Sequence, residues 1–184
     1  MKWFVWVLWI LITAFALFAI VGLLLPRDYS VPREIVIKAK PSAIFPYIDN
    51  PSNRKAWSPF QGPSVNNTFE GPEAGVGAIM HWASLKASGR IVITESDPPN
   101  SVKYETQFDN GYPTSTSKFT FAPVEGVDET HVIWDFYGKV PFNPFRRYYV
   151  LRIDEKTGGK HFQGLINLKQ LLENQNGPSE TESD

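Results

Sequence analysis

The chain has no cysteine in 184 residues. That excludes disulfide bracing, thiolate nucleophiles and any zinc site built on sulfur. Histidine is scarce as well. Only His81, His131 and His161 are present, and no two stand at the helical or loop spacing of a metal centre. No metal is therefore expected, and the three read as solvated side chains. Strong charge of either sign is also missing. Lysine and arginine number 18 against 19 acidic residues, with no basic run, which argues against a nucleic-acid surface. There is no Gly-x-Ser-x-Gly elbow for a nucleophilic serine. Gly75-Val76-Gly77 leads into a strand rather than a helix N-terminus, so it is a bend and not a phosphate cradle. No cofactor is called for, no internal repeat is visible, and nothing specifies a protein partner.

What the chain does have is one long apolar run. Residues 3–25 carry no charge, and Thr13 is their only polar side chain. Such a run crosses a hydrocarbon core of about 30 Å as a helix. Trp3, Trp6 and Trp9 sit near one end, where interfacial tryptophans belong. The run exceeds the apolar core of a secretory signal, and Leu23-Leu24-Leu25-Pro26 is a poor cleavage site. Residues 1–25 therefore read as an uncleaved transmembrane anchor of a single-pass membrane protein. Lys2 on one flank and Arg27, Arg33, Lys38 and Lys40 on the other leave the side of the soluble domain open. A short linker is expected at 26–30, one domain at 31–174, and a disordered, polar and acidic tail at 175–184.

Within the domain, Ile35 and Ile37 alternate with polar residues, which predicts a first strand. Pro41 opens a short helix to about residue 48, compromised by Pro46, and Asn50-Pro51 starts another that runs to about Trp57. Six strand-like segments follow, at about 64–70, 76–84, 88–96, 101–109, 113–122 and 130–139. Asn110-Gly111 is one of the turns between them. The last element is helical from Asn143-Pro144 to about residue 173. Gly158-Gly159 predicts a kink or break near 154–159. The order is strand, two short helices, six strands and a long helix. That is an α+β layout with one helical layer on one face of an antiparallel sheet.

Period-2 alternation then sorts the sheet into two faces. Met80 and Trp82 share one face, as do Val132, Trp134 and Phe136, and Tyr104 and Phe119 belong with them. His81, Lys103, Glu105, Lys118, His131 and Asp135 fall on the other. The apolar face must meet the closing helix, and its only polar members are the hydroxyls of Tyr104, Thr106 and Ser117. On the helix, Phe162, Leu165, Ile166, Leu168 and Leu172 form one apolar stripe. Lys169 falls inside that stripe. Either its stem covers apolar surface and its ammonium meets Glu173, or the ammonium points inward at a ligand head. Composition by itself favours a solid core over a cavity, because large aromatics fill volume.

Several local motifs carry a resemblance. Pro41-Ser42-Ala43-Ile44-Phe45 follows the strand at 31–39, then come Trp57-Ser58-Pro59-Phe60 and Gly75-Val76-Gly77-Ala78 leading to Trp82. Gly89 leads into 91–98, and Gly164-Leu165-Ile166-Asn167-Leu168-Lys169 closes the series. In this order the chain resembles the polyketide cyclase/dehydrase and lipid-transport family of the START-like (SRPBCC) superfamily, in its bacterial form with one N-terminal membrane helix. The resemblance implies a helix-grip fold, a curved antiparallel sheet wrapped around a long C-terminal helix over a deep cavity. It also implies binding of lipids, polyketides or other apolar molecules, with cyclisation or dehydration in a minority of members. It supplies no catalytic residues.

The expected function is thus a membrane-anchored binding module for a hydrophobic small molecule or lipid. The alternatives are a cyclase- or dehydratase-type enzyme using the same cavity and a partner-binding protein with a filled core. The candidate ligand-binding residues are Trp57, Met80, Trp82, Tyr104, Phe119, Trp134, Phe162 and Lys169, the tryptophans being equally readable as core. If the site is catalytic, Tyr104 could polarise a carbonyl. Glu95, which shares the parity of Ile91 and Ile93, could move protons as a desolvated carboxylic acid; otherwise it lies wet at the strand end.

Overall fold

The computed structural model describes residues 2–109, 111 and 113–175. Asn110 of the expected turn and residues 176–184 of the expected tail lie outside them. The first element is α1 (Lys2–Leu24). The strands β1 (Asp28–Ile37), β2 (Asn66–Glu70), β3 (Ile79–Ala83), β4 (Ser88–Asp97), β5 (Ser101–Phe108), β6 (Ser115–Pro123) and β7 (Thr130–Lys139) form one antiparallel sheet in the order β1-β7-β6-β5-β4-β3-β2. Between β1 and β2 lie α2 (Pro41–Asp49) and a 3-10 helix at Pro51–Ala56. After β7 come α3 (Pro144–Val150), a π-helical turn at Asp154–Gly158 and α4 (Gly159–Gln175). The chain has a helix-grip fold, with a curved antiparallel sheet closed by its C-terminal helix and an apolar helix before it.

Local chemistry accounts for the breaks. The Asn50 side chain accepts from Ser52 N at 2.9 Å and starts the 3-10 helix behind Pro51. The Asn143 side chain accepts from Phe145 N at 2.9 Å and starts α3 behind Pro144. The closing run breaks where the two glycines stand. There the helix widens into the π turn, and Arg33 of β1 pairs with Asp154. Gly158 lies so close to Arg33 that an added Cβ would sit 2.0 Å from its Nη2.

Three expectations change here. Residues 28–30 of the stretch read as a linker already belong to the sheet, where Asp28 pairs with Lys139, and Val140 N donates to Arg27 O at 2.9 Å just before it. Only residues 25–27 separate α1 from β1. Gln175, placed in the tail, ends α4, and its side chain accepts from the Tyr47 hydroxyl at 3.0 Å. The buried stripe of α4 is His161, Gly164, Leu165, Leu168 and Leu172, with Phe162 on the open side. An imidazole and a glycine fill the stripe's first turn, so apolar character misses its phase there.

Gly164 sets how closely the lid approaches. A Cβ at that position would lie 3.1 Å from Pro59 Cδ, 3.1 Å from Trp134 Cζ3 and 3.5 Å from Trp57 Cζ3. The helix therefore rests on the two indoles. The fully buried side chains beneath it, among them Ile37, Ile44, Met80, Ile93 and Phe119, form one core with Leu165 and Leu168 of the helix.

α1 is long and apolar enough to cross a membrane. Its C-terminal end is docked on α3. Arg147, buried, donates to Leu23 O and, at 3.1 Å, to Leu25 O, capping carbonyls that the helix leaves free. Tyr148 donates to Phe18 O at 2.7 Å and stacks on the Phe18 ring at 4.2 Å. Gly22 lies against Pro144, where a Cβ would come within 2.6 Å of its carbonyl oxygen.

Candidate functional site

The inner face of the sheet is the apolar one. Trp134, Tyr104, Phe119, Val102, Val132 and Met80 are all at most 2% exposed. On the outer face His81 meets Glu70 at 3.1 Å and His131 meets Glu34 at 3.2 Å. The side chains do not fill the interior. Between β3–β7 and the start of α4 lies a cavity of about 240 Å3, lined by Trp82, Ile91, Tyr104, Thr106, Phe108, Ser115, Ser117, Trp134 and Phe136 from the sheet. Arg54, Phe60, Gln61, Thr157 and His161 complete the wall. The volume exceeds that of an apolar void of about 150 Å3 that takes up benzene. It lies just under the ~300 Å3 at which sites for drug-sized molecules begin.

Of the eight expected binding residues, the cavity wall contains three: Trp82, Tyr104 and Trp134. Trp57 and Phe119 stand one layer behind. Trp57 packs edge-on against Trp134 at 5.7 Å and donates its indole N–H to Tyr47 O at 2.9 Å. Phe119 stacks on Trp134 at 4.7 Å. Met80 is core. Phe162 is 42% exposed and faces away. Lys169 is turned to the sheet edge, donating to Val36 O at 2.9 Å with Glu173 at 3.6 Å, so the outward alternative holds.

Of the two readings of Glu95, the wet one holds, and the inward parity with Ile91 and Ile93 does not. The register between β4 and β5 shifts between Ile93 and Glu95. The bulge turns Glu95 outward, where it is exposed and paired with Lys103. The Lys103 ammonium, hydrogen-bonded to it, holds the carboxyl below the usual range. It is not a desolvated acid.

His161, expected to be solvated, is 4% exposed. Its ring lies 4.4 Å from that of Trp134 and 4.6 Å from that of Phe136. Burial first, then the Arg33 and Arg54 guanidinium groups, push the imidazole down from 6.5 to about 4, so it is neutral at pH 7. Arg54 was also missed. It is 4% exposed, with its guanidinium carbon 4.6 Å from the Tyr104 ring centroid and 5.2 Å from that of Trp57. It comes from the short 3-10 helix, which has no 3.6-residue stripe to mark a buried position. Only the Asn50-Pro51 start signal pointed to that segment.

Phe108, Ser115, Phe136 and Thr157 also line an outer groove of about 730 Å3, which continues along Tyr29, Lys86, Phe145, Arg146, Tyr149 and Lys156. One side of that groove is α3, the helix docked on α1. Burial, then the neighbouring Tyr149, pushes the Tyr29 hydroxyl up to about 12, so it stays a neutral hydrogen-bonding group.

The model of a family described as polyketide cyclase / dehydrase and lipid transport matches residues 29–173. Comparison with curated proteins by sequence finds no match. Among solved structures, the chain is similar to norcoclaurine synthase from Thalictrum flavum in complex with dopamine and hydroxybenzaldehyde. The identity is 16%, the TM-score 0.61, and the match covers 88% of this chain and 94% of that one. It is also similar to a Staphylococcus aureus protein of unknown function, with 10% identity, a TM-score of 0.65 and coverage of 83% and 98%. CalU16 from Micromonospora echinospora matches at 16% identity with a TM-score of 0.53, covering 82% of this chain and 77% of that one. At these identities the likeness is one of fold.

Proposed function

The chain belongs to the polyketide cyclase / dehydrase and lipid transport family, and from that premise we propose that it is a membrane-anchored module binding a hydrophobic small molecule. The observation that carries this reading is the void of about 240 Å3 between sheet and lid, walled by Trp82, Ile91, Phe108, Trp134 and Phe136. Burial there supplies affinity at roughly 25 cal/mol per Å2 of apolar surface. α1 serves as a single transmembrane anchor, and the domain spans from β1 to the end of α4. Because α3 both docks on α1 and lines the outer groove, the groove lies beside the end of the anchor. An apolar ligand dissolved in the bilayer reaches the cavity without a long path through water.

The test is native mass spectrometry of the full chain released from detergent micelles. An apolar adduct is expected, and Ser117→Phe, which fills the cavity from β6, removes it. A chain without adduct whose melting responds to no lipid would refute the reading. A second reading, turnover of the ligand by cyclisation or dehydration, is favoured by one observation. His161 is neutral and buried in the cavity wall, with no partner at Nδ1, and so can accept a proton from a bound molecule. It requires chemical change of the bound molecule that His161→Gln abolishes.

A further inference from the structure

The cavity is apolar in area but not in what it leaves unpaired. Besides Ser115, whose Oγ is also unpaired at the end shared with the outer groove, four buried wall residues carry polar atoms with no hydrogen-bond partner: Arg54 at Nε and Nη1, Tyr104 at its hydroxyl, Trp134 at Nε1 and His161 at Nδ1. None of the four is more than 4% exposed. Buried polar groups are normally paired, and each orphan costs the free energy of its lost hydration. Four around one void form a set. The ring contacts tie them together: Arg54 lies on Tyr104 at 4.6 Å, Tyr104 on Phe119 at 6.1 Å, Phe119 on Trp134 at 4.7 Å and Trp134 on His161 at 4.4 Å.

The chemistry of the set is one-sided. Arginine and the indole nitrogen only donate, the phenol can donate, and the neutral imidazole donates from Nδ1 in one tautomer. The guanidinium is also charged, and among the described residues no carboxylate pairs with it. A buried charge without a counter-charge is strongly unfavourable, so the missing partner is an anion that accepts several hydrogen bonds at once. An ionised carboxylate fits, being acceptor-only and matched to the guanidinium fork.

We propose that this cluster is a binding site for a carboxylate, and that the ligand is an apolar molecule carrying one acid head. The head is held by Arg54, Trp134, Tyr104 and His161. Unlike Phe108, Ser115, Phe136 and Thr157, these four do not reach the outer groove, so the apolar body extends toward that groove. This rests on the reading of the cavity as a ligand site and adds the chemical class of the ligand.

The test uses the full chain in phosphatidylcholine nanodiscs, with empty nanodiscs as the reference for partitioning, and octanoate and 1-octanol as probes. The two share their apolar body and differ in the head. Octanoate is expected to bind roughly ten- to a hundredfold more tightly, the range for hydrogen bonds to a charged group. Arg54→Met removes that preference, so that octanoate binds no more tightly than 1-octanol to the variant. Trp134→Phe, which deletes only the indole donor, does the same in part if Arg54→Met fails to fold. In the unmodified chain the bound carboxylate raises the His161 pKa by about one unit or more, read from imidazole nitrogen shifts, and octanol does not. Equal binding of both probes would overturn the carboxylate site and leave the apolar cavity standing. Binding of neither would overturn both, and an unchanged His161 titration with octanoate bound would place the head elsewhere.

Discussion

His161 sits where its protonation must oppose folding. Folded, its pKa is pushed down to about 4, whereas in the unfolded chain it is near 6.5. At pH 7 the imidazole is neutral in the folded chain and mostly neutral in the unfolded one, and contributes little pH dependence. As the pH falls through 6.5 the unfolded chain takes up the proton first, and the folded chain follows only near 4. Between the two the unfolded state binds more protons, so stability falls as the pH falls. At 1.36 kcal/mol per unit, the gap of about 2.5 units amounts to about 3 kcal/mol lost by pH 4, and about 2 kcal/mol by pH 5. The perturbation is His161→Gln, which removes the titrating group from the cavity wall. Urea unfolding is followed by tryptophan fluorescence at pH 7, 6 and 5 for both proteins in the same micelles. His81 and His131 remain in both and cancel in the difference. The unmodified chain is expected to lose about 2 kcal/mol more than the variant between pH 7 and pH 5. Parallel pH profiles would refute the reasoning, as would a His161 titration midpoint near 6.5 by NMR.

Gly164→Val places branched carbons where one Cβ already meets Pro59 and Trp134 at 3.1 Å. We expect a loss of about 1–3 kcal/mol in denaturant unfolding as α4 lifts off the indoles. Arg147→Met leaves the last carbonyls of α1 without their cap from α3. It is expected to cost about 1.5–3 kcal/mol at the dock. The readout is faster limited proteolysis at residues 25–28, with the midpoint of domain unfolding little changed. Glu95→Gln, on the outer face and beyond the bulge, should leave ligand binding and the melting temperature unaltered, as checked by calorimetry. A loss of binding there would restore the inward placement that the register shift removed.

Much of the architecture was legible because its causes are local. Alternation along β5, β6 and β7 separates Tyr104, Phe119 and Trp134 from Lys103, Lys118 and Asp135, since the pleat turns successive side chains to opposite faces. Asn143-Pro144 and Gly158-Gly159 mark where the closing helix starts and breaks through backbone chemistry alone. The family resemblance, carried by short motifs in order, agrees with the match over residues 29–173. Errors arose where one residue's environment is set by distant partners. The bulge after Ile93 reversed Glu95, because parity holds only while the ladder stays in register. A glycine and a histidine on α4 moved the buried stripe off Phe162.

By itself, then, the sequence determined the long apolar run of α1, the two faces of the sheet and the place of the lid, each following from interactions between near neighbours along the chain. Only the tertiary structure decided that the lid leaves a void and that Arg54 and His161 turn into it. It also decided that α1 rests on α3. A cavity is a small difference between two large volumes, the space a curved sheet encloses and the side chains that occupy it. That difference depends on how closely Gly164 lets α4 approach Trp57 and Trp134, a distance between residues far apart in sequence.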